Sequence, residues 1–166
     1  VDAKPPSNVP LSPPGWPRPR RDGYPIPWVA IPDNLGRTDG ARFIATKRDL
    51  LCQVCGEAHD KHDEVVVFVG TGLESKSGKA VDPTRPGDVL IRCLDDAIMH
   101  ERCARLAAGS CPALKAKRER GEFFAFIGPL FAVVQLGVPL EERDPERIGR
   151  NTFLALEGDH ARPFDV

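Results

Sequence analysis

The chain has 166 residues, a formal net charge of −1 and a hydrophobic fraction of 41%, enough for one ordinary domain with extensions but not for two full-sized ones. A near-neutral balance argues against a general nucleic-acid coat, since no overall field favours phosphate. No apolar stretch reaches a membrane span, because the Phe123 to Leu136 run is interrupted by Gly128, Pro129 and Gln135.

In chain order, the first 40 residues form a proline-rich arm, with ten of the 17 prolines between Pro5 and Pro32. Proline removes backbone donors and blocks helix, so the arm is expected to run extended. Its start, Val1-Asp2-Ala3-Lys4-Pro5-Pro6, has no charged region followed by an apolar one, so the expectation is a cytoplasmic protein without a secretory leader. Tyr24-Pro25-Ile26-Pro27-Trp28 mixes aromatic and aliphatic residues into the prolines and is expected to dock on the core.

Residues 41–137 are expected to form the core domain, and 138–166 an extension that adds a strand. A short strand is expected at Ala41–Ala45, followed by a knuckle at Cys52-Gln53-Val54-Cys55-Gly56. Glu64–Val69 is β-branched and bounded by glycine, a clear strand, and Asp88–Cys93 is expected as its hairpin partner. Glu74 to Pro86 reads as an exposed loop. Asp95 or Asp96 is expected to cap a helix over Ile98–Ala108, stopped by Gly109. A second helix is expected at Pro112–Arg120, with proline at its first position. Phe123–Ile127 and Leu130–Leu136 are expected to pair through a turn at Gly128-Pro129, with a further strand at Thr152–Leu156.

Five cysteines is an odd number, which disfavours a closed disulfide framework. Cys52 and Cys55 form a Cys-x-x-Cys pair, and after 44 intervening residues His100 and Cys103 form a His-x-x-Cys pair. A tight knuckle presents two thiolates to one ion, and ligands three apart at a helix start share a face. The set Cys52, Cys55, His100 and Cys103 is therefore expected to bind one structural Zn²⁺ in a tetrahedral Cys₃His site. Knuckle, two strands and helix in that order are the order of a treble clef. The expected fold class is α+β: a small treble-clef-like zinc core with additional antiparallel strands and an extended arm.

Other candidates are weighed against plainer roles. Cys93 is a potential replacement ligand, though a buried packing thiol is the more common fate, and Cys111 is read the same way. His59, His62 and their acidic neighbours are able to bind a second metal or act as bases, yet a solvated turn is expected there; His160 is placed in a tail. The basic groups Arg18 to Arg21 and Lys115 to Arg120 are able to meet phosphates, with Trp16 as a stacking residue.

The knuckle with an upstream Gly-Tyr-Pro-Ile-Pro segment (23–27), the His100-Glu101-Arg102-Cys103-Ala104 helix and Cys111-Pro112-Ala113-Leu114 together resemble a set of uncharacterised bacterial and bacteriophage zinc-binding proteins. The resemblance spans residues 22 to 114 and implies the same four metal ligands and a core position for Cys111-Pro112, but no activity. The chain departs from that pattern in its long Gly70 to Asp88 insertion and in having Met99 before His100.

The expected function is a non-enzymatic, zinc-stabilised module that engages a protein partner or larger assembly through Trp16, Tyr24 and Trp28, in a bacterial cytoplasm or a phage particle. One alternative is a metal-dependent nuclease of the His-Asn-His kind using His59 or His62. Another is a nucleic-acid-binding regulator using Lys115 to Arg120.

Overall fold

The computed structural model describes residues 10–70, 86–87, 89–137 and 152–166. The loop expected at Glu74 to Pro86 lies almost wholly outside them, as do the first nine residues and residues 138–151 of the expected C-terminal extension.

The class is α+β, with antiparallel sheets and three helices among the described residues. Strands β1 (Arg20–Arg21) and β2 (Tyr24–Pro25) close a hairpin over Asp22-Gly23, both with positive φ, the conformation that favours Asp-Gly in tight hairpins. β3 (Ala30–Ile31) and β4 (Asn34–Thr38) make a second small hairpin. The strand expected at Ala41–Ala45 is instead part of helix α1 (Gly40–Asp49). Asp39 caps it, its carboxylate accepting from the Arg42 amide at 3.0 Å, and Leu50 ends it in the left-handed conformation. The short Phe43-Ile44-Ala45 run is compatible with either period, and the aspartate cap decides it.

β5 (Glu64–Val69) is the strand expected, and β6 (Leu90–Arg92) falls within the second expected span. They do not pair with each other. β5 pairs along all six residues with β7 (Phe124–Pro129), which carries β10 (Arg162–Pro163) on its other edge. β6 pairs with β9 (Phe153–Glu157), which also takes β8 (Val133–Leu136). The expected hairpin of β7 with β8 is likewise replaced: a 3₁₀ turn at Leu130–Ala132 carries the chain from the first sheet to the second. A matching turn at Gly158–His160 carries it back, so residues 153–163 serve both sheets instead of forming a tail.

Alternation along β5 divides the interior. Val65, Val67 and Val69 face a cluster with Ile91, Phe126, Leu154 and Leu156 between the sheets. Val66 and Phe68 face the opposite cluster, which contains Cys52, Cys55, Met99, Cys103 and Ala104. A strand buried on both faces reads as a continuous β-branched run, which is why its signal was strong. On that second face lie helix α2 (Glu101–Ser110) and helix α3 (Pro112–Glu119), the latter as expected with proline first.

Helix α2 begins later than expected. Asp95 and Asp96 cap nothing: both have positive φ inside a 3₁₀ turn at Leu94–Asp96, and the Asp96 carboxylate accepts from the Leu154 amide at 3.1 Å. His100 holds the N-cap position, and Gly109 lies within the helix instead of stopping it. Between turn and helix, Met99 exchanges two backbone hydrogen bonds with Val66 of β5 at 2.8 and 3.0 Å. Extended backbone is thereby imposed where a helix was expected. No described helix is long and apolar enough to cross a membrane.

Candidate metal centre

Two local structures bring the four ligands together. In the knuckle, the Gly56 amide donates to the Cys52 carbonyl at 2.8 Å and the Cys52 amide donates to Glu57 at 3.0 Å, folding the loop back on itself. Gly56 has φ +76, a conformation that disfavours a side chain. On the other side, the Met99–Val66 stitch places His100 beside the knuckle, and the Gln53 side chain ties knuckle to turn by donating to the Asp95 carbonyl at 3.1 Å.

The result is one constellation. Cys52, Cys55, His100 and Cys103 place their ligand atoms within 4.8 Å of one another, with the three cysteines buried. Cys55 Sγ stands 3.3 Å from His100 Nδ1, close to the roughly 3.6 Å expected between S and N donors on a tetrahedral zinc. Cysteine crowding also sets the protonation: Cys103 and Cys52 donate toward Cys55, and with His100 they hold it far below the usual thiol range. His100 is in turn pushed up to about 10 by Cys52 and Cys55. The same contacts push the Cys103 thiol up, so charge gathers on one sulfur, and a cation bound here would displace protons from the other ligands. The Cys₃His set is compatible with a structural zinc site.

Around the ligands the structure departs from the sequence reading in one place. His59 was expected in a solvated turn; its ring instead packs 4.1 Å from that of His100, with both nitrogens buried and unpartnered. Burial first, then His100, lowers its pKa to about 4. Asp63 Oδ2 lies 3.9 Å from His100 Nε2, and His59, Asp63 and His100 form a second close group. No helical periodicity joins His59 to His100, so composition alone gave no signal of the contact. His62 is exposed as expected.

The remaining candidates fall elsewhere. Cys93 is buried in the cluster between the sheets, on the far side of β5 from the ligands, and burial pushes its thiol up strongly. It is a packing residue and replaces no ligand. Cys111 is half-buried at the junction of α2 and α3. His160 stands exposed, edge-on to Phe131 at 5.1 Å. In the basic run of α3, Arg118 donates to the Val166 carbonyl at 2.8 Å and Arg120 pairs with Glu122 at 2.9 Å, so two of its cations are engaged within the chain.

Of the three aromatic candidates, Trp28 is turned inward. A Cβ on Gly56 would lie 2.5 Å from its ring, and the Arg42 guanidinium lies over that ring, 4.8 Å from its centroid. Trp16 and Tyr24 are exposed, at 39% and 47%, and Arg102 lies 5.1 Å over the Trp16 ring. Beside Tyr24 a groove of about 720 Å³ opens between the arm and helices α2 and α3, walled by Pro27, Val54, Met99 and Leu114. No family model matches the chain, and no curated protein or solved structure gives a significant match.

Proposed function

We propose that Cys52, Cys55, His100 and Cys103 bind a single structural Zn²⁺, and that the chain is a non-enzymatic, zinc-stabilised module for binding a protein partner or joining a larger assembly. The convergence of four protein ligands supports the first part, since a tetrahedral ion so held keeps no open position for substrate or water. The knuckle and a helix N-terminus supply two ligands each, as in a treble clef, with a strand topology of its own. In keeping with the resemblance of the 22–114 segment, a bacterial or phage context is proposed.

What supports the second part is the arm. Its buried face is committed to the knuckle through Trp28, while Tyr24 remains exposed in an apolar groove and Trp16 is exposed apart from it, beneath Arg102. Exposed aromatics next to a concave apolar surface are the ordinary anchors of protein interfaces. The testing experiment has two arms. Elemental analysis of native protein should return about one zinc per chain, lost in Cys52→Ser and Cys103→Ser; well-folded protein without metal would overturn the site. Crosslinking in the source cell should then capture a partner that a Trp16→Ala/Tyr24→Ala double variant fails to capture. Equal capture by both would refute the aromatic surface.

A further inference from the structure

The arm meets the metal knuckle through three consecutive carbonyls. The Gly15 amide donates to Cys55 at 2.8 Å, the Trp28 amide to Val54 at 2.8 Å and the Val29 amide to Gln53 at 3.3 Å. A metal that holds Cys52 and Cys55 in the knuckle conformation therefore also presents the acceptors on which the arm docks.

A buried cation completes the contact. Arg18 is 6% exposed, and its guanidinium donates to the carbonyls of Pro13, Gly15 and Ile26 and to the Ser12 hydroxyl at 2.6 to 3.1 Å. These partners fold the arm around it. Among the described residues no carboxylate pairs with it. Burying an unpaired cation is costly, and a counter-charge nearby offsets that cost. Burial first, and then the Arg42 charge, lower the Arg18 pKa, while Cys55, Cys103 and Cys52 oppose them. Three thiolates and a neutral imidazole around Zn²⁺ would carry a net negative charge, and Gly15 joins that centre to Arg18, its amide bonded to the Cys55 carbonyl and its own carbonyl to the guanidinium.

We infer that the arm over residues 12–29 is a metal-dependent latch: it closes on the zinc-loaded knuckle with Arg18 as its charged pin, and opens when the metal leaves. This inference rests on the zinc reading above. Linkage makes the coupling reciprocal, so whatever zinc contributes to arm docking, the docked arm returns as zinc affinity. Release of the arm would uncover the Trp28 ring and the knuckle carbonyls together, a change of surface that a partner is able to sense.

Hydrogen–deuterium exchange on the full chain tests this, alongside zinc stoichiometry. With zinc bound, the amides of Gly15, Trp28 and Val29 should be protected, and chelation should accelerate their exchange on the order of tenfold or more, the range of ordinary coupling between sites. Arg18→Met should still bind one zinc per chain, about tenfold more weakly in competition with a chromophoric chelator, and its arm amides should exchange quickly even when loaded. If chelation unfolds the β5–β7 pairing as well, the loaded Arg18→Met protein decides. One zinc per chain with arm protection indifferent to chelation, or an Arg18→Met variant equal to wild type in both readouts, would overturn the latch. Absence of zinc from folded protein would instead remove the metal reading, and the latch with it.

Discussion

Gly56→Ala isolates the contact between knuckle and arm. Two separate penalties meet at this position. A residue with a side chain in the left-handed region costs about 1–2 kcal/mol, and Gly56 sits there with φ +76. The added Cβ would also lie 2.5 Å from two atoms of the Trp28 indole and 2.8 Å from a third. Contacts that close force the ring or the knuckle to move, which adds about 1–3 kcal/mol as in other overpacked sites. The sum is about 2–5 kcal/mol in the native background. With Trp28→Ala in place the ring is gone, so Gly56→Ala should cost only the backbone part, about 1–2 kcal/mol. The four proteins form a double-mutant cycle, read by urea unfolding at a fixed buffered zinc concentration, because bound metal shifts apparent stability. A coupling of about 1–3 kcal/mol is expected. Equal costs of Gly56→Ala with and without Trp28 would show that the indole does not lie over the knuckle, and the docked arm would have to be redrawn.

Three further substitutions probe the rest of the fold. Lys47 is 3% exposed, donates to the Thr152 carbonyl at 3.1 Å and lies 3.8 Å from Asp96 Oδ2; Lys47→Met should destabilise by about 3–5 kcal/mol in thermal or urea unfolding by leaving that carboxylate uncompensated. Adding Asp96→Asn should recover part of the loss, and no recovery would refute the pairing. A Cβ on Gly158 would meet the Gly87 carbonyl at 2.4 Å, where neither backbone yields easily, so Gly158→Ala should lower stability by at least about 1–3 kcal/mol; an unchanged urea midpoint would refute it. Glu64 and Arg162 join β5 to β10 through a two-pronged ion pair at 2.5 and 2.7 Å, and Arg162 holds the Glu64 carboxyl below its ordinary 4.5. A lowered carboxylate pKa stabilises the fold above that value and the contribution fades as pH falls through the lowered one; both partners are well exposed, so Glu64→Gln should cost under about 1 kcal/mol at pH 7. Its melting temperature should converge with wild type in strong acid or 1 M salt, and a gap that persists in both would refute the ionic origin.

The four ligand residues were legible because their chemistry is written in spacing: a thiol pair in a knuckle and an imidazole–thiol pair three apart have few other uses in combination. β5 and α3 were legible for local reasons as well, a β-branched run and a proline at a helix start. What the sequence concealed was pairing. The unbroken apolar run in β5 marks a strand buried on both faces but says nothing of which strand lies beside it, and the nearest candidate, residues 88–93, went to the other sheet. The start of α2 was misplaced because Asp95 and Asp96 look like caps, whereas the bonds of Met99 to Val66 keep the backbone extended up to His100. The hairpin at Asp22-Gly23 and the cap at Asp39 were local signals open to reading, masked by the surrounding prolines in one case and by a short apolar run in the other. His59 had no such signal, since its partner lies in another element and only the fold joins them.

These pairings give the metal centre more reach than its four ligands suggest. The first sheet has one face on the Cys₃His side and one on the second sheet, so β5 belongs to both interior clusters. Its ladder with β7 and the packing of Val65 and Val67 against Leu154 and Leu156 do not depend on any ligand. Met99, by contrast, bonds β5 directly while its neighbour His100 reaches the cysteines, and the knuckle carbonyls carry the arm. Loss of the proposed ion is therefore expected to act first on the knuckle, the His100 segment and the docked arm. The layer between the two sheets, packed mainly through apolar side chains, is the part best able to persist, and local opening of this kind is expected where one region's stability comes from a ligand and its neighbour's from burial. On the metal reading proposed above, one half of the chain is held by burial and the other by the ion, and only the second would change its surface with metal.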